Sequence, residues 1–122
     1  MTTRLFEQIF SQLSGILRRH AGSLRIRDEA PMRLSLIGGP HPKHKTPTPI
    51  AWVKIEKNYV SYHLMPVYGC PKLLETISAK LRARMQGKSC FNFRVPDEAL
   101  FDELERLTVA GFAAFKKAGY MA

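Results

Sequence analysis

Two short stretches place chemically capable side chains at every second position. In Tyr59 to Tyr68, YVSYHLMPVY, the alternate set is Tyr59, Ser61 and His63. In Lys88 to Arg94, KSCFNFR, it is Lys88, Cys90, Asn92 and Arg94. A period of two is the mark of a β-strand with one face on a core, so each set shares a face while Val60, Tyr62, Leu64, Phe91 and Phe93 take the other. The run Ile50 to Glu56 adds Trp52. With the 89–94 strand beside 59–64, Trp52, Tyr59, Ser61, His63, Lys88, Cys90 and Asn92 populate one surface. An aromatic floor carrying an imidazole, a thiol, an amide and an ammonium suits a small polar or anionic ligand. Under a covering helix or a second subunit, Trp52 and His63 would instead be an ordinary cross-strand pair.

Other constellations are weaker. Gly87-Lys88-Ser89 has the ending of a phosphate-binding loop, but Arg82 stands where the first glycine is needed, and the order is helix, turn, strand rather than strand, loop, helix. His41 and His44 are three apart, yet Pro42 removes the helix that would bring them together. Lys43 and Lys45 repel a cation, and a metal site takes three or four donors. Cys70 and Cys90 read as reduced thiols. Cys70, at the start of a short helix, is placed for a lowered pKa but has no resolving cysteine nearby in sequence. The serine-hydrolase, zinc-protease and dinucleotide-binding motifs are all missing, which favours a binding protein over an enzyme.

The elements that position these residues follow from periodicity and punctuation. Leu5, Phe6, Ile9, Phe10, Leu13, Ile16 and Leu17 form a helical stripe, capped by Thr2 or Thr3 and stopped at Gly22. Leu24 to Arg27 and Arg33 to Ile37 read as strands around a turn at Asp28 to Pro31. The Pro- and Gly-rich stretch 39–49 reads as a mobile loop. Ile50 to Glu56 and Tyr59 to Leu64 form a hairpin across Lys57-Asn58, with Asn58 tolerating positive φ. That turn pairs Ile55 with Val60, Val53 with Tyr62 and Ala51 with Leu64 on the core face, and Lys54 with Ser61 and Trp52 with His63 on the other. Pro66 ends the strand, and Pro71 starts a short helix to about Thr76. Ser78 caps a second helix to Gln86 with Gly87 as its C′ residue, and Ser89 to Arg94 is the last strand. Pro96 opens the final helix, with Asp97 and Glu98 in its first turn and a stripe of Leu100, Phe101, Leu104, Leu107, Gly111, Phe112 and Phe115.

A chain of 122 residues and net charge +9 is one domain with room for a real core. The charge is uneven: +5 over 1–48, +6 over 49–95 and −2 over 96–122. A basic body attracts nucleic acid, phosphate metabolites or an acidic partner. Lys80, Arg82, Arg84 and Lys88, with Arg25, Arg27 and Arg33, would carry nucleic-acid binding, although no established nucleic-acid motif accompanies them. No apolar run reaches the length of a membrane span, and residues 2–19 lack the pattern of a signal peptide, so a cytoplasmic location is expected.

Over residues 50–118, YVSYHLMPVY, MQGKSCFNF and VPDEALFDELERLTVAGF in that order, the chain resembles the YdhG-like family of small bacterial domains. That family is of unknown function and is grouped with frataxin-like intracellular iron chaperones. The resemblance implies an α+β fold with a mostly antiparallel sheet packed by helices, and an association with iron in some relatives. Here the basic charge runs against an iron-delivery surface. The acidic stripe Glu98, Asp102 and Glu105 is short and is accounted for by the helix dipole. The sequence is therefore read as a single α+β domain over 1–122, with four or five strands, N- and C-terminal helices and two short helices before the last strand. Its expected role is non-enzymatic binding of a small anionic ligand or a metal on the Trp52/His63/Cys90 face. A basic nucleic-acid accessory protein and an interaction module using that face between subunits stand as alternatives.

Overall fold

The computed structural model describes residues 2–22, 24–40 and 47–120. Helix α1 spans Thr2–His20. Strands β1 (Arg25–Ala30), β2 (Arg33–Pro40), β3 (Pro47–Ile55) and β4 (Val60–Leu64) follow, then α2 (Met65–Gly69), a 3-10 helix (Pro71–Thr76) and α3 (Ala79–Arg82). Strands β5 (Met85–Gln86) and β6 (Cys90–Phe93) precede the long α4 (Glu98–Ala118). The fold is α+β. Its sheet has six strands in the order β1-β2-β3-β4-β6-β5, each neighbour antiparallel.

Parity divides the sheet. Leu34, Leu36, Val53, Val60, Tyr62, Phe91 and Phe93 join Phe6, Ile9, Leu13 and Leu17 of α1 and Leu100, Leu104 and Leu107 of α4 in one buried cluster. The helices thus bury their apolar residues against one face, as a two-layer domain requires. On the other face Ser35, Trp52, Lys54, His63, Cys90 and Asn92 stay half-exposed. Two contacts lock the helical layer. The buried Tyr62 hydroxyl meets Thr108 Oγ1 at 2.6 Å, and Thr108 Oγ1 donates back to Leu104 O at 2.8 Å. Gly111 lets α4 approach Pro66 so closely that a Cβ there would sit 2.9 Å from the proline Cβ.

Several boundaries depart from the sequence reading, each for a physical reason. The β1–β2 turn lies at Pro31-Met32 rather than 28–31, because β1 absorbs an extra residue as a bulge between Ile26 and Asp28. Of the stretch expected to be a loop, Gly39, Pro40 and Pro47 to Pro49 are strand. The last β1 pairing is at Ile37 and the last β4 pairing at Ala51, so beyond them β2 and β3 pair only with each other and a missing N–H costs little. His41 and His44 lie outside the described residues, and Thr2 and Thr3, expected as caps, already lie within α1. The β3–β4 turn has the expected length, closed by Glu56 N donating to Tyr59 O at 2.8 Å. No described residue other than glycine has positive φ, so Asn58 does not take that conformation. Strand β4 runs straight into α2, a helix with no periodic stripe to betray it. Helix α3 stops at Arg82 instead of Gln86, because Arg84 O accepts from Asn92 N (2.8 Å) and Met85 and Gln86 pair with β6. Gly87, at φ 78°, serves the β5–β6 turn rather than a helix end. Asp97 is the cap of α4, its carboxylate accepting from Leu100 N at 3.2 Å, and is not a first-turn residue.

Candidate functional site

The β3–β4 and β4–β6 registers lay one row across the unburied face: Ser35 opposite Trp52, Trp52 opposite His63, His63 opposite Cys90, and Cys90 opposite Gln86. The next row pairs Arg33 with Lys54, Lys54 with Ser61 and Ser61 with Asn92. Trp52 and His63 stack face to face, with ring centroids 4.6 Å apart and planes 15° from parallel. Their polar edges continue into a hydrogen-bonded chain. Cys90 Sγ lies 3.5 Å from His63 Nε2 and donates to Asn92 Oδ1 at 3.2 Å, and Asn92 Nδ2 donates to Gln86 Oε1 at 2.8 Å.

Half-burial sets the charge state of this row. Loss of water holds the His63 imidazole below its ordinary 6.5 and pushes the Cys90 thiol up to about 11. At neutral pH the row is uncharged: a neutral ring, a protonated thiol and two amides. The thiol is therefore a poor nucleophile and a poor metal ligand, since both roles need the thiolate. Among the described residues no three of His, Cys, Asp and Glu come together as a metal would need.

Five of the seven residues expected at the site share this face: Trp52, Ser61, His63, Cys90 and Asn92. Ser61 is only 2% exposed. Its hydroxyl donates to Lys54 O at 3.4 Å, and its burial makes it part of the floor rather than a ligand contact. Tyr59 sits in the turn before β4, half-buried. Lys88 goes elsewhere. Strand β6 begins at Cys90, and Lys88 lies in the β5–β6 turn with its ammonium 5.8 Å from the Tyr68 ring centroid.

Charge reaches the face from another direction. A cavity of about 310 Å³ is lined by Arg27, Arg33, Ser35, Leu36, Ile37, Pro49, Trp52 and Lys54, residues of β1, β2 and β3. Ser35, opposite Trp52 in the β2–β3 register, is the small residue of this lining. Lys54 has a loose ion pair with Glu56 at 3.7 Å; no ion pair between described side chains involves Arg27 or Arg33. Ser35 and Gln86 were not expected here, and Arg27 and Arg33 were read as a separate basic set. The signal was present for β2: with Leu34 and Leu36 in the core, period two already places Arg33, Ser35 and Ile37 on the Trp52 face.

The acidic stripe does more than complement the helix dipole, which Glu98 does from the first turn of α4. Glu105 accepts from Arg19 Nε and Nη2, both at 3.0 Å, and lies 2.7 Å from His20 Nε2. These partners hold its carboxyl down at about 2. Glu98 accepts from Gln12 Nε2 at 2.7 Å. Both residues clamp α4 to α1. In comparisons with known proteins, no family model, no curated protein and no solved structure matches the chain.

Proposed function

We propose that this protein is a non-enzymatic binding domain for a small anionic ligand that carries a planar ring, held on the open sheet face beside Trp52. The observation that carries the reading is the groove itself: Trp52, stacked on His63, also lines a cavity flanked by Arg27, Arg33 and Lys54. A ring entering there gains stacking on the indole, while an attached phosphate or carboxylate meets guanidinium groups suited to bidentate recognition. The cavity is at the small end of the range for ligand pockets, about 300 to 1,000 Å³, which fits one ring system and its anionic group. A metal ligand is the weaker half of the sequence expectation, because His63 and a protonated Cys90 supply neither the number nor the charge state of donors.

Trp52 is the chain's single tryptophan, so its emission reports the groove directly. Titration with adenosine monophosphate, adenosine and inorganic phosphate should show saturable quenching that is strongest for the monophosphate, because only it engages both the indole and the arginines. Arg33→Ala should weaken that binding roughly tenfold, the worth of one charge-assisted contact at about 1.5 kcal/mol. Absence of saturable quenching by the monophosphate, or equal binding by wild type and Arg33→Ala, would sink the proposal.

A further inference from the structure

We infer that the Trp52 groove is one nucleotide station on a track for single-stranded nucleic acid, an inference that rests on the reading of this face as an anion-binding surface. The cations beside the groove are not gathered at one point, as a lone phosphate would want them. They are strung out along β1 and β2. Arg25 lies opposite Ile37, Arg27 occupies the bulge between Ile26 and Asp28, and Arg33 is two residues along β2 from Ser35. Ile37, Ser35 and Arg33 are alternate residues of one strand. The three arginines therefore occupy successive levels about 7 Å apart, a run of about 13 Å. That step is close to the separation of neighbouring phosphates in an extended single strand.

The bulge is what completes the series. It sets two successive residues against one partner and re-aims a side chain, and here Arg27 lines the groove. Asp28 is the acidic residue in register at that level, opposite Ser35. None of the ion pairs between described side chains involves Arg25, Arg27 or Arg33. On the far flank of Trp52 the uncharged row continues through His63, Cys90 and Gln86, offering amide and imidazole edges where charged groups would repel or mispair. Aromatic stacking beside a basic strip is how single strands are held without sequence-specific readout. A duplex does not fit this scheme, because its bases are already stacked and cannot enter a groove against the indole.

The test uses the full chain and oligothymidylates of about 4, 8 and 12 nucleotides, spanning the usual single-strand site sizes, beside thymidine monophosphate and a duplex of equal length. Fluorescence anisotropy measures affinity and Trp52 emission reports the groove. Affinity should rise from monophosphate to oligonucleotide and fall with salt. For three phosphate contacts the log–log slope is about −2.1, so raising salt from about 50 to about 300 mM weakens binding about 40-fold. Arg25→Ala/Arg27→Ala should shallow the slope by about 1.4, with circular dichroism confirming that these exposed positions leave the fold intact. Trp52→Phe, which keeps a ring in the row, should retain the salt slope while losing part of the affinity. If the monophosphate quenches Trp52 but oligonucleotides bind no tighter, the track is refuted while the ligand groove survives. If neither binds, both fall. Equal affinity for duplex, or an unchanged slope in the double variant, also overturns the track.

Discussion

Cys90 offers the sharpest check on the chemistry of the open face. Its Sγ lies between His63 Nε2 and Asn92 Oδ1 and is half-buried, and burial raises its pKa from 9.0 to about 11. Only the thiolate reacts with alkylating agents or disulfide reagents. At pH 8 the thiolate fraction falls from about one in ten at the ordinary value to about one in a thousand, a hundredfold protection from ionisation alone. An unstructured cysteine-containing peptide serves as the reference for an ordinary thiol. Mass-spectrometric mapping of iodoacetamide labelling over time at pH 8 should therefore show Cys90 modified more slowly than the reference peptide by about two orders of magnitude. The rate at Cys90 should climb tenfold per pH unit past pH 9, where an ordinary thiol levels off. Asn92→Ala removes the acceptor of the S–H and opens the site to water, so it should bring Cys90 forward. Labelling of Cys90 as fast as a free thiol at pH 8 would refute the placement of the sulfur and with it the uncharged row. Fast labelling would also reopen metal binding by His63 and Cys90, which the protonated thiol argues against.

Two further predictions concern the frame that holds this face. Thr108→Val strands the fully buried Tyr62 hydroxyl and should cost about 1 to 3 kcal/mol, whereas Tyr62→Phe leaves Thr108 still donating to Leu104 O and should cost about 0.5 to 1.5. Urea denaturation of both single variants and the double variant checks this, and a double variant no more stable than the sum of the singles contradicts the pairing. Glu105, whose folded pKa is depressed to about 2 from 4.5, contributes stability that is fully present above pH 4.5 and is lost as pH falls towards 2. Because Arg19 is 56% exposed, screening reduces the contribution to about 1 kcal/mol. Thermal melts from pH 5 to pH 2.5 should show Glu105→Gln with a shallower acid loss than wild type; parallel curves would count against the clamp.

How much of this was legible depended on where a local rule had no competitor. The β3–β4 hairpin was readable because a two-residue turn leaves one register, and that register alone places Trp52 against His63. The α4 stripe was readable because seven apolar residues repeat at helical spacing, and the helix ends where Gly119 takes the left-handed cap. Illegible parts were those decided by a distant partner. Arg84 to Gln86 have helix-compatible residues, but β6 claims them as an edge strand. The prolines of β2 and β3 argue against strand until one knows that β1 and β4 have already ended beside them. Lys88 was misplaced by two residues for the same reason: where β6 starts is set by the β5 pairing, and period-two counting cannot see it. Arg27 depended on a bulge, which no alternation predicts.

The distribution of carboxylates explains why the open face remains positive. Glu29 pairs with Arg18, Glu105 with Arg19 and His20, Glu98 accepts from Gln12, and Glu103 accepts from Ser78 N and Oγ. Every one of these contacts lies in or against the helical layer. Arginine therefore plays two roles in the same small domain, decided by the side of the sheet on which it emerges. On α1, Arg18 and Arg19 meet acids and tie elements together. On the Trp52 face, Arg27 and Arg33 border a groove together with Lys54, which Glu56 holds loosely at 3.7 Å, and Asp28 stands in register with Ser35. Cations kept apart from acids repel one another, which lowers stability unless something binds them. The neighbouring row of Trp52, His63, Cys90, Asn92 and Gln86 is meanwhile fixed by stacking and lateral hydrogen bonds, so a ligand would meet side chains already ordered and would forfeit little entropy in ordering them. A face built only for solubility has no need of that order, and a face built for subunit packing would be expected to neutralise its arginines. Fixed rings beside uncompensated cations are what an anionic, ring-bearing ligand would select.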